Sequence, residues 1–215
     1  MVRKTREEAL ATREQLLDAA ERVFHKRGVG HTTLAEVADA AGLTRGAIYW
    51  HFKSKADLFE AMVARAELPM DAALEEMAAA SQDDPLGAVR TLAVRALTHL
   101  AESERTRTVF DVLFLRCEYT DDLADVQARH LEERATCLQR VQAGLEQAVA
   151  KGQLPGDLDS RLAAQGMYAF VGGLMRDWVS DPAAYDLKRV APQLIDVYLA
   201  GLAHGPRRIS LPRAA

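Results

Sequence analysis

Two cysteines, Cys117 and Cys137, are too few for a disulfide framework and suit a reducing compartment. No apolar run approaches the roughly 18 residues of a membrane span. The N-terminus also lacks the hydrophobic region of a signal peptide. A soluble, cytoplasmic protein without a membrane partner is therefore expected. The motifs of chemistry are missing too: no CxxC, HExxH or ExxH pair, no nucleophile elbow, no phosphate-binding glycine loop. The chain does not read as an enzyme, and no cofactor is implied. Its six histidines are scattered, so no metal site is expected.

What is present is concentrated between Thr32 and Lys55, in TTLAEVADAAGLTRGAIYWHFKSK. Thr33 followed three residues later by Glu36 is a capping box that opens a helix. Leu34, Val37, Ala38 and Ala41 give that helix one apolar face. Gly42 ends it, because the C′ position favours a left-handed backbone, and Leu43 plugs the turn. Thr44 caps a second helix from Arg45 to about His51. A helix-turn-helix of this kind lays its second helix in the DNA major groove, with N-terminal residues at base edges. Arg45 has the fork that reads guanine O6 and N7. Gly46 and Ala47 are small enough for close approach, and Tyr49 and His51 have polar tips suited to phosphate oxygens. Ile48 and Phe52 face the core. Ser54 caps the next helix, with Asp57 three residues on, and Lys55 at its positive end suits a phosphate. Caps, a C′ glycine and an apolar stripe also occur in helical hairpins that bind nothing, so pattern alone leaves DNA binding open.

Charge distribution agrees with a DNA head. Residues 1–55 hold ten Lys/Arg against seven Asp/Glu, a balance of +3; the rest holds 17 against 24, or −7, for −4 overall. Positive potential thus collects where DNA would sit, and a dimer doubles it. A length of 215 residues suits one DNA-binding module and one larger domain.

Taken in order, Arg3, Lys4 and Arg6 form a basic arm that is either disordered or laid along DNA. Thr12 to Arg27 reads as the first long helix, with Leu16, Leu17, Ala20, Val23 and Phe24 inward and Gly28 as its stop. It should back the helix-turn-helix in a three-helix bundle. The helix after Ser54 carries Leu58, Phe59, Met62 and Val63, and Pro69 predicts a break near Glu67. Pro85 starts a helix with Leu86, Val89, Leu92, Ala93, Ala96, Leu97 and Leu100 along one face. Glu104 to Arg116 contains VFDVLFL, apolar nearly all round, which must be buried or line a cavity. Thr120 caps the longest helix, Asp121 to Ala150, with a stripe of Leu131, Ala135, Leu138, Val141, Leu145 and Val149; Gly152, Pro155 and Gly156 break it.

Ser160 to Ser180 carries two adjacent stripes, Leu162, Gly166, Phe170, Leu174, Trp178 and Ala163, Met167, Val171, Met175. The last helix, Leu187 to Ala203, has Leu194, Ile195, Tyr198, Leu199 and Leu202, with Pro192 in its first turn or kinking it. This doubled apolar surface suits burial inside one subunit and against another, a homodimer through the last two helices. Gly166, Gly172 and Gly173 each cost about 1 kcal/mol inside a helix, which close helix approach or room for a ligand would rationalise. The tail GPRRISLPRAA reads as disordered.

The run AxxAGLTRGAIYWHFKSKADL, from Ala38 to Leu58, resembles the signature of the TetR family of bacterial transcriptional regulators. The resemblance implies an all-α chain of about nine helices: a DNA-binding helix-turn-helix domain over residues 1–54 and a ligand-binding and dimerisation domain over 55–215. Its DNA-contacting positions fall on Thr33, Thr44, Arg45, Ala47, Tyr49, Trp50, His51 and Lys55, with Trp50 divided between DNA and packing. In that family the helix after Ser54 transmits ligand binding to the head. MVRKT, YWHFKSK, CEYTDD from Cys117 and GQLP from Gly152 are most similar to the subgroup that represses multidrug efflux pumps. That subgroup implies a permissive pocket for lipophilic or aromatic effectors such as drugs, antibiotics or plant and microbial phenolics. Phe110, Phe114, Met167, Tyr168 and Met175 would supply adaptable walls, with Leu92, Ala96, Leu113, Cys137, Val141 and Val171 beside them. Such residues line cores more often than pockets. Arg176 would meet an acidic or phenolic group, or end its helix in solvent. A redox role for Cys117 or Cys137 would need an exposed, acidified thiol.

The expected function is repression of an efflux operon and of the regulator's own gene. Two heads about 34–36 Å apart would hold a pseudo-palindromic double-stranded operator, and an effector preferring another spacing would release it. The alternatives are the same scaffold on an unrelated metabolic operon, an activator, or a helical small-molecule carrier or enzyme that does not bind DNA.

Overall fold

The computed structural model describes residues 6–66, 83–118 and 123–204. Helix α1 (Arg6–Arg27) places Glu7 and Glu8 in its first turn and His25, Lys26 and Arg27 in its last, each favourable to the helix dipole. It already runs at Arg6, the first described residue, well before Thr12: the Thr12 hydroxyl donates to the Glu8 carbonyl at 2.7 Å and so sits inside a helix. Gly28, at φ +82°, ends it.

The next two helices form as the local sequence dictates. Helix α2 (Leu34–Ala40) has both halves of the capping box between Thr33 and Glu36. Its C-terminus is a Schellman turn. Gly42 is at φ +67°, its N–H donates to Asp39 at 3.0 Å, and the Leu43 N–H donates to Ala38 at 2.9 Å. Helix α3 (Arg45–His51) follows the Thr44 cap. Helix α4 (55–66) is capped by Ser54, whose Oγ accepts the Asp57 N–H at 3.1 Å while the Asp57 carboxylate accepts the Lys53 N–H at 2.9 Å. The break expected at Pro69, the Thr120 cap, most of the N-terminal basic arm and the C-terminal tail lie outside the described residues.

Further along are α5 (Pro85–Glu102), α6 (Glu104–Leu115), α7 (Ala124–Ala150), α8 (Ser160–Ser180) and α9 (Leu187–His204). The architecture is all-α, with nine helices and no strand among the described residues. No helix there is long and apolar enough to cross a membrane.

Two compact units divide the chain. One draws its described residues from the stretch up to Pro69 and from Ser103–Glu133, the other from Met70–Glu102 and Arg134–Ala215. Residue 54 therefore falls inside the first unit. Its core joins Leu16, Leu17, Ala20 and Phe24 of α1 to Val37, Ile48, Phe52, Leu58, Phe59 and Met62, and then to Val109 and Val112 of α6 and Val126 of α7. The helix-turn-helix bundle thus continues into α6.

In the second unit α5 packs on α8 and α9. Pro85 is in the first turn of α5 as expected, and Val89, Leu92, Ala93, Ala96, Leu97 and Leu100 are buried. Gly166 makes room for the Tyr198 hydroxyl, which donates to the Ala163 carbonyl at 2.8 Å. Among the described residues, a Cβ added at Gly172 or Gly173 would meet no atom outside the neighbouring turns of its own helix within 4 Å.

Two expectations about the helices change, and one left open is narrowed. The stripe proposed for α7 does not run its whole length: Val141 and Leu145 are buried, but Leu131 is 54% exposed. The first turns of α7 pack through Val126 instead, and Leu131, five residues on, points about 140° away from it. Helix α6 is not apolar all round, since Asp111 is buried and Leu115 is 45% exposed. Pro192 lies beyond the first turn, inside α9.

Candidate functional site

The surface of α3 is set by two anchors beneath it. Ile48 is fully buried and Phe52 is 1% exposed, which turns the opposite side of this two-turn helix to solvent. Thr44, extended at φ −74° and ψ 153°, accepts the Ala47 N–H on its hydroxyl at 3.3 Å. Arg45 and Gly46 are exposed and Ala47 is half-buried. Tyr49 is 48% and Trp50 72% exposed, so Trp50 is not a packing residue here. His51 is half-buried, its ring edge-on to Trp50 at 4.5 Å. The Arg45 guanidinium lies over the Tyr49 ring, 5.6 Å from its centre.

Flanking positions complete this surface. Thr33 is exposed, and Lys55, half-buried, begins α4. Thr33 is held by the Glu36 carboxylate, which accepts its N–H at 2.8 Å and its hydroxyl at 2.9 Å. That Thr33 backbone bond is the main reason the Glu36 carboxyl titrates below its usual range. Arg27 joins Glu36 at 2.6 Å. A forked donor, a phenol, an indole and an imidazole stand on one exposed helix, above a rigid apolar base. Such a set can donate to base edges, contact phosphates and pack on sugar or methyl groups.

The residues proposed for an effector pocket occupy both units, and each group is described within its own. In the first, Phe110 and Phe114 are half-buried with ring centres 5.2 Å apart. Leu113 is buried and lines an open cleft with Phe59, Glu60, Val63, Val126, Arg129 and His130. Arg129 reaches Glu60 across that cleft at 2.9 Å. In the second unit Leu92, Ala96, Val141 and Met167 are buried, Cys137, Tyr168, Val171 and Met175 are half-buried, and Arg176 is exposed. The Arg134 guanidinium lies 5.4 Å from the Tyr168 ring centre and donates to Gln165 at 3.0 Å. Neither Arg134 nor the polar cleft residues Glu60, Arg129 and His130 stood out in the sequence, because a polar position on a helix carries no sign of what packs beside it. Burial pushes the Cys137 thiol above its ordinary range, the opposite of what a thiolate sensor needs. Among the described residues no group of three or more His, Cys, Asp or Glu side chains could hold a metal.

Comparison with known proteins gives this geometry its context. Residues 16–62 match the family model of bacterial regulatory proteins of the tetR family, and residues 84–204 match that of the C-terminal region of MAATS-type transcriptional repressors. The HTH-type transcriptional regulator TtgR of Pseudomonas putida is 40% identical over 206 residues, covering 96% of this chain and 98% of that protein. The structure of NalD, the secondary repressor of the MexAB-OprM multidrug efflux pump in Pseudomonas aeruginosa, superposes with a TM-score of 0.85 at 32% identity, covering 94% of this chain and all of that one. SmeT, repressor of the Stenotrophomonas maltophilia pump SmeDEF, superposes in its triclosan complex with a TM-score of 0.77 at 33% identity, over 95% of this chain and 96% of that one. The chain belongs to the TetR family of bacterial transcriptional regulators.

Proposed function

We propose that this regulator is a cytoplasmic homodimer that represses a multidrug efflux operon and its own gene, and leaves its operator when a lipophilic or aromatic compound binds. The observation that carries the DNA half is the exposed face of α3, where Arg45, Tyr49 and Trp50 project from a helix anchored by Ile48 and Phe52. Arg45 reads a guanine; Gly46 and Ala47 permit close approach; Thr33, Thr44, Tyr49, His51 and Lys55 bind phosphates; Trp50 packs on the groove wall. The effector half rests on the apolar residues set out above within each unit, and on relatives that repress efflux pumps. Dimerisation through α8 and α9 is supported by the exposure of Leu162, at 69%, and Val197, at 71%, on otherwise packed helices.

The effector acts through unequal affinity for two head spacings, and its effect cannot exceed that difference. Fluorescence anisotropy with DNA from upstream of the chain's own gene, titrated at several salt concentrations, tests the reading. Binding tighter than to scrambled DNA, with a negative log–log salt slope and release by aromatic drugs, is expected. Equal affinity for both DNAs, repeated with sites drawn from a random pool, would overturn it.

A further inference from the structure

Tyr49 has two chemically distinct parts, a hydroxyl that suits a phosphate and a ring over which Arg45 lies. We infer that the ring is the part that matters for sequence discrimination, and that Tyr49 is a positioning residue for Arg45. The inference deepens the DNA-binding reading above and rests on it.

Arg45 is the first residue of α3 and Tyr49 stands four residues on, so the two side chains share one helix face. The guanidinium carbon is 5.6 Å from the ring centre, within the range of a cation–π contact. No acidic residue stands in the first turn of α3 to take the guanidinium instead. Tyr49 is 48% exposed and contributes no buried anchor, since Ile48 and Phe52 fill that role. An unheld arginine on a helix surface samples many rotamers, and docking its fork on a base must freeze them. A guanidinium held over a ring keeps its in-plane N–H donors available while its plane is restrained. Tyr49 therefore removes part of the ordering cost of base recognition before DNA arrives, which is preorganisation. The effect belongs to one base pair, whereas a hydroxyl–phosphate contact strengthens binding to every sequence alike.

The test uses the full-length chain and double-stranded sites selected by the wild type from a random pool. Anisotropy at fixed salt compares each selected site with its single-base-pair variants, for wild type, Tyr49→Phe, Tyr49→Leu, Tyr49→Gln, Arg45→Ala and the Arg45→Ala/Tyr49→Leu double variant. Circular dichroism melting verifies folding, and the Gln variant stands in should the Leu variant misfold. Discrimination at the guanine whose preference Arg45→Ala abolishes should survive Tyr49→Phe. It should fall about two- to fivefold in Tyr49→Leu and change no further when Tyr49→Leu is added to Arg45→Ala. The inference is overturned by a Phe variant that loses as much as the Leu variant, by a uniform loss across all sequences, or by full discrimination in the Leu variant. A wild type that selects no sequence would end the DNA-binding reading itself, and this inference with it. A base preference untouched by Arg45→Ala would overturn this inference while leaving the DNA-binding reading in place.

Discussion

The Asp111 carboxylate, buried on α6, lies 3.3 Å from Nε2 of His25 on α1 and 2.5 Å from Nε of Arg116 at the end of α6. The Arg116 carbonyl in turn accepts the Val29 N–H at 3.1 Å, just before the helix-turn-helix. One side chain thereby fastens α6 to the end of α1. Replacing Asp111 by alanine leaves Arg116 and His25 without this acceptor and should lower stability by about 1–3 kcal/mol. Urea unfolding reads this as an earlier midpoint; an unchanged midpoint would mean that water replaces the carboxylate without loss.

Arg65 of α4 makes the second fastening. Its guanidinium meets Glu21 and Asp18 of α1, the latter at 2.9 Å, and Glu14 at 2.8 Å, while Arg105 of α6 reaches Asp18 at 3.1 Å. Arg65 and Glu21 are each 11% exposed at the side chain, whereas Glu14 and Asp18 are near half exposed. The Glu21 pair should dominate, because exposed pairs contribute little. Arg65→Met leaves Glu21 with only the longer Arg105 contact of 3.4 Å and should destabilise by about 3 kcal/mol. Glu14→Gln should change the melting temperature little, and equal losses from both substitutions would contradict this ranking.

Stability should depend on pH through the α2 cap. Glu36 titrates below its usual range when folded because Thr33, first through its backbone N–H, stabilises the carboxylate. A carboxyl whose folded pKa is depressed contributes stability above its unfolded pKa and loses it as pH falls through the folded value. Thermal melts from pH 7 downward should therefore fall more steeply for wild type than for Glu36→Gln, with the curves converging in acid. Parallel curves would show that the capping box adds no pH-linked stability.

The glycines of α8 test the proposal that one of its faces packs within the subunit and another against a second subunit. A methyl at Gly166 meets the Tyr198 hydroxyl, whereas one at Gly173 meets nothing within 4 Å. Gly166→Ala should lower the melting temperature. Gly173→Ala should favour the isolated helix by about 1 kcal/mol yet weaken dimerisation in sedimentation if α8 packs closely on its counterpart. An unchanged dimer constant would turn the Gly173 face away from the interface.

Function should divide the same way. Arg45→Ala is expected to lose specific operator affinity with dimerisation and drug binding intact, and Phe114→Ala to alter effector affinity more than operator affinity. Operator affinity unchanged by Arg45→Ala would take Arg45 out of base readout. A Phe114→Ala chain that melts early with both affinities reduced would make Phe114 a core residue.

The head was almost fully legible because its determinants are local. Thr33 with Glu36, Gly42 with Leu43, and Thr44 before Arg45 each act within a few residues, and each appears in the structure as read. Element starts were less legible where one residue type has two local uses. Thr12, read as the start of the first helix, is a helix-interior threonine bonded to Glu8, a choice made by the residues before it. Leu131 shows the limit of periodicity: a stripe records which positions could be buried together, not how far along a helix a neighbour extends.

The sequence by itself determined an all-α chain, its helix-turn-helix and the side chains that its second helix exposes, since capping, turn and apolar-period signals are short-range and additive. Tertiary structure alone decided that Asp111 is buried in an apolar run and that Arg65 gathers carboxylates from 44 or more residues away. A buried charge is stable only where distant partners converge on it, and spacing along the chain does not encode that convergence.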